Sequence, residues 1–73
     1  MSPRLPALTA QKLLAILRKH GFVQVRQGGS HIVLEHPDGR HTTVPLHKGR
    51  DLGRGLLRQI MRDANLTVED LTD

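Results

Sequence analysis

The sequence predicts one α+β domain of order α-β-β-β-α: a three-stranded antiparallel sheet, two helices on one of its faces, and a short helical turn at the C-terminal end. Two segments of helical periodicity bracket three short strand-like runs, and the turn residues Gly28-Gly29 and Pro37-Asp38-Gly39 separate those runs. A chain of 73 residues holds a single domain, 1–73, near the lower size at which one core sustains itself without metal or disulfide. A deep, enclosed active-site cavity is therefore not expected.

Pro3 and Pro6 break any earlier helix, and Thr9 offers a hydroxyl cap to a helix from Ala10 to His20. Its apolar side is Leu13, Leu14, Ile16 and Leu17; Lys19 and His20 suit the negative end of the helix dipole, and Gly21 supplies a left-handed stop. Phe22 to Gln27 reads as a strand, Gly28-Gly29 as a turn, Ser30 to His36 as a second strand, and Arg40 to Val44 as a third, ended by Pro45. Polarity fixes the register of the last two strands. A loop of Pro37-Asp38-Gly39 sets Ile32 against Val44, Leu34 against Thr42, Val33 against Thr43 and Glu35 against His41, so the apolar residues share one face. One further loop residue would mix the two sets. On this register His31 points away from the core, opposite Pro45 and near His47. Leu46 to Leu52 is a basic connection. Arg54 to Ala64 is a second helix with Leu56, Leu57, Ile60, Met61 and Ala64 on its apolar side and Arg54, Arg58 and Arg62 recurring along the other. Asn65-Leu66 ends it, and Thr67-Val68-Glu69-Asp70 opens a last turn in the manner of a capping box, carrying Leu71.

Composition narrows the chemistry. The chain has no cysteine, which removes disulfides, thiolate nucleophiles and cysteine-based zinc sites, and fits the cytoplasm. It has no apolar run suited to a membrane span or a secretory signal. Lys and Arg number 11 against 7 acids, a formal net charge of +4, which favours a polyanionic partner. Phe22 is the only aromatic residue, so recognition of unstacked bases on aromatic platforms is excluded and contact through phosphates remains.

Gly28-Gly29-Ser30-His31 is the most informative segment. Glycines at the start of a strand let a polyanion approach the backbone, and an imidazole moves its proton readily near neutral pH. His31 is the candidate acid–base group, with Gly29 and Ser30 beside it. A metal site is disfavoured because His36 falls on the face opposite His31 and His41, and no helix carries an i, i+4 His pair. Lys48, Arg50, Arg54 and Arg58 are candidate phosphate contacts, since no acid stands at four-residue spacing to pair the helical arginines. Glu35 beside His41 is most simply a cross-strand pair on the face that carries His31.

Four segments in order and spacing, Gly29-Ser30-His31, Pro37-Asp38-Gly39-Arg40, Val44-Pro45-Leu46-His47 and Gly55-Leu56-Leu57-Arg58-Gln59-Ile60, together with the opening helix ending in Gly21-Phe22, resemble the HicA family of toxins, the YcfA-like messenger-RNA interferases. The resemblance covers nearly the whole chain. It implies a double-stranded-RNA-binding-domain-like fold, an endoribonuclease that cleaves messenger RNA and stops translation, a HicB-type antitoxin that covers the His31 face, and His31 as the functional histidine. Leu56 departs from the threonine common in the family. RNA supplies its own 2′-hydroxyl nucleophile, so one imidazole and a few cations suffice, with no cofactor and no metal. His31 serves as general base or acid, Lys48, Arg50, Arg54 and Arg58 hold phosphate, and His47 or Glu35 is the candidate second proton-transfer group. The rival readings are a non-catalytic module that binds double-stranded RNA by shape, and a protein-interaction domain.

Overall fold

A computed structural model describes residues 5–46 and 50–72. Its elements are α1 (Ala10–Lys19), β1 (Val23–Gly28), β2 (His31–Glu35), β3 (His41–Pro45), α2 (Arg54–Ala64) and α3 (Val68–Thr72), and the sheet order is β1-β2-β3. The expected α-β-β-β-α order holds.

Local chemistry sets each boundary. The Thr9 hydroxyl accepts from the Lys12 amide at 3.3 Å, capping α1. At the other end the Gly21 amide donates to Arg18 and the Phe22 amide to Leu17, both at 3.0 Å, with Gly21 at φ +94°. That is the Schellman arrangement, and it delivers Phe22 into the core against the same turn. Asn65 does the same for α2 at φ 54°, where the Leu66 amide reaches the Met61 carbonyl at 2.9 Å. Thr67 and Asp70 exchange side-chain-to-backbone hydrogen bonds of 2.8 and 3.3 Å, the capping box foreseen for α3.

The β2–β3 register is the one polarity demands, from His31 opposite Pro45 to Glu35 opposite His41. The loop closes as a turn over His36 to Gly39, with the Gly39 amide on the His36 carbonyl at 2.9 Å and Gly39 at φ +100°. The His36 amide bonds the Arg40 carbonyl and the Leu46 amide bonds that of Ser30, so His41, Thr43 and Pro45 fall at the non-hydrogen-bonded positions. Pro45 therefore sits where the ladder asks for no amide hydrogen.

Ile32, Leu34, Thr42 and Val44 are buried toward the helices, where Leu13, Leu14 and Leu17 of α1, Leu57 and Ile60 of α2, and Phe22 complete the core. Both α1 and α2 pack against β3. Every residue of β1 is exposed, Val23 at 58% and Val25 at 50%, because Gln24 and Gln27 give its inner side nothing to bury. Two expectations are corrected, and one feature that polarity does not reveal is added. The first turn is Gly29-Ser30, not Gly28-Gly29: β1 runs on through Gly28, Gly29 takes φ +58° as the first central residue of the turn, and Ser30 precedes β2. Leu56 is 37% exposed; one residue back from Leu57 on the helix, it points past β3 into an open groove shared with Thr43 and Gln59. Finally, β1 and β2 are out of simple register, with a bulge at Val25.

Candidate active site

One face of the sheet is covered by helices and the other is open. Three rows cross this face: Gly28–His31–Pro45, Arg26–Val33–Thr43, and Val23–Glu35–His41; of these residues Pro45 is buried. His31 stands exposed at the first position of β2, with its ring engaged in no hydrogen bond or ion pair among the described residues. Its cross-strand neighbour on β1 is a bare glycine. Gly29 and Ser30 are exposed beside it in the turn.

Glu35 lies four residues further along the same strand, about 13 Å away at the usual rise, and faces His41. The fold therefore does not bring Glu35 together with His31. His36, by contrast, leaves the open face altogether. Its ring meets Phe22 edge-on at 5.2 Å, and its Nδ1 lies 3.0 Å from an Asp38 carboxylate oxygen. Among the described residues no three potential metal ligands come together.

Two anchors place the helical arginines. Arg40 donates to the Ala64 carbonyl and the Thr42 hydroxyl to Asp63 at 3.2 Å, which ties the C-terminal end of α2 to the start of β3. α2 spans about 16 Å, close to the length of β3. Its first residue, Arg54, follows the connection that leaves β3 after Pro45. That connection is anchored to the start of α1, through a bridge between Thr9 and Asp51 and the Leu52 amide on the Leu8 carbonyl at 2.7 Å. Arg50 and Arg54 are exposed, Arg58 follows one helical turn further along α2, and Arg62 lies near its C-terminal end. The arginine ridge runs on the helix layer, with the sheet between it and the open face. His47 and Lys48 lie outside the described residues.

Sequence reasoning missed Arg26, and it named Gly28 without its place opposite His31. Arg26 is exposed in the row next to His31, and Gly28 is the residue opposite it. Both placements depend on the bulge, which leaves no mark in the polarity pattern.

Among the described residues no helix is long and apolar enough to cross a membrane. No curated protein matches the chain. A family model described as the HicA toxin of bacterial toxin–antitoxin systems matches residues 10–66. The match runs from the first residue of α1 past the end of α2, through the whole sheet and the Gly-Ser-His turn, and the chain belongs to the HicA toxin family.

Proposed function

We propose that this toxin is an endoribonuclease that cuts messenger RNA through His31 without a metal ion. The observation that carries the reading is the exposed imidazole at the head of β2, on the uncovered face and opposite Pro45, from which the connection bearing Arg50 leads to Arg54 at the start of α2. An RNA backbone crossing the open face there meets a proton acceptor, with cations following in the chain. His31 takes the proton of a 2′-hydroxyl, the O2′ attacks the adjacent phosphorus, and the bond to the 5′ oxygen breaks. The products are a 2′,3′-cyclic phosphate and a 5′-hydroxyl, the leaving oxygen collecting a proton from His47, two residues beyond Pro45 in the chain. Lys48, Arg50 and Arg54 hold phosphates and offset the charge that develops in flight, while Arg58 engages RNA that continues along the helix layer. Gly29 and Ser30 admit the backbone to the turn.

The family pairs each toxin with an antitoxin. We assign that role to a HicB-type protein that covers the His31 face and so excludes RNA from it.

The test compares the purified protein with His31→Ala on a defined RNA in EDTA. Cleavage by the parent should persist in the chelator and fall about a hundred- to ten-thousandfold in the variant, which still binds RNA. Unchanged cleavage by His31→Ala sinks the assignment. Binding without cleavage by the parent instead marks a shape-reading RNA module, and activity lost in EDTA but restored by a divalent ion marks a metal enzyme.

A further inference from the structure

The bulge at Val25 changes what faces His31. Val23 opposes Glu35 and Gln24 opposes Leu34; counting on without a bulge would set Val25 against Val33, Arg26 against Ile32 and Gln27 against His31. With the extra residue, Arg26 opposes Val33 and Gly28 opposes His31. One inserted residue thus turns an arginine from the helix side to the open face and puts a residue without a side chain beside the imidazole. Bulges re-aim side chains in this way.

The fold does not itself require glycine at position 28. Its φ lies outside the left-handed region, and a Cβ built there meets nothing within 4 Å, whereas Gly29 at φ +58° does need its freedom. A glycine inside a strand is less stable than an alanine there, so the strand gains nothing from it. The cleared space is on the open face, next to His31, and no atom of the described residues fills it. Arg26 stands diagonally across it, at about the 7–8 Å separation of diagonal neighbours in a sheet, within reach of a long side chain. Among the described residues no carboxylate forms an ion pair with it.

We infer that the bulge builds a two-phosphate site for unpaired RNA. Gly28 leaves room for the ribose–phosphate unit that reacts at His31, and Arg26 binds the next phosphate along the strand, fixing the register of the backbone over the imidazole. The inference rests on the nuclease reading above and adds to it a substrate subsite on β1.

The experiment uses a labelled, unstructured oligoribonucleotide with the parent protein, Arg26→Gln, Arg26→Lys and Gly28→Val, each checked by thermal melting. Arg26→Gln should weaken binding about tenfold whatever the base sequence and lower the slope of log Kd against log salt by about 0.7, the value of one phosphate on a single strand. Arg26→Lys should restore the slope. Gly28→Val should melt no lower than the parent, because a β-branched residue suits a strand, yet cleave at least tenfold more slowly. An unchanged salt slope in Arg26→Gln, or full cleavage by Gly28→Val, overturns the subsite while leaving a cleaving parent and the role of His31 intact. A parent that neither binds nor cuts the oligonucleotide overturns both readings.

Discussion

Phe22, 2% exposed, gathers three segments around one ring. The His36 ring meets its edge, and the Arg40 guanidinium lies 5.1 Å from its centroid while also holding Asp38 at 2.8 Å and the Ala64 carbonyl. The Asp38 carboxyl is held below its ordinary value first by the Arg40 amide, with the Arg40 side chain and His36 adding to the effect. Gly21 borders this cluster so closely that a Cβ would come 2.8 Å from His36 Nε2, at a φ of +94° that alanine adopts with strain. Gly21→Ala should therefore destabilise the protein by more than about 1 kcal/mol. Adding His36→Ala should recover part of that loss, so that the double variant unfolds at a higher temperature than the sum of the single changes predicts. Strictly additive losses in thermal denaturation would show that the ring and the glycine do not collide. At this scale the sequence disclosed His31, because a Gly-Gly-Ser lead into an apolar run is a local signal. Arg26 and Gly28 stayed hidden as partners of that face, since their positions follow from a bulge that polarity alone does not reveal.

Among the elements, β2 and β3 were legible down to the paired residue, because a one-residue slip would have exchanged buried Leu34 for His41. β1 was legible only as a strand. It buries nothing, so no apolar alternation constrained its register. α2 was read with correct ends but one misplaced side chain, as Leu56 faces beyond the edge strand rather than onto the sheet. α3 is held by two devices, its capping box and the approach of His20 Nε2 to Asp70 at 3.5 Å, while His20 Nδ1 donates to Ile16 at 2.8 Å. The Asp70 carboxyl is lowered from its usual 3.8, chiefly by the Thr67 amide, then by the Thr67 hydroxyl and His20. A carboxyl whose folded value is depressed contributes stability that is complete above the unfolded value and lost as the pH falls through the folded one. Melting temperature should thus drop below about pH 4, and Asp70→Asn, which keeps an oxygen acceptor but loses the charge, should flatten that acid slope. An identical slope in the variant would show that other carboxylates govern it.

Across the whole molecule, the positive charge is spread over two surfaces, the open sheet face with Arg26 and the helix layer with its arginine ridge. Overproduction of the toxin should arrest growth, overproduction of His31→Ala should not, and co-expression of the neighbouring antitoxin gene should restore growth. Arrest by the variant equal to that of the parent would divorce toxicity from the imidazole. The margin of the sheet beside that imidazole ends in Pro45, placed where its nitrogen turns outward. A neighbouring extended chain that tried to zip along β3 would find no donor at its last rung, so runaway strand-to-strand stacking into fibres is discouraged at that end of the sheet.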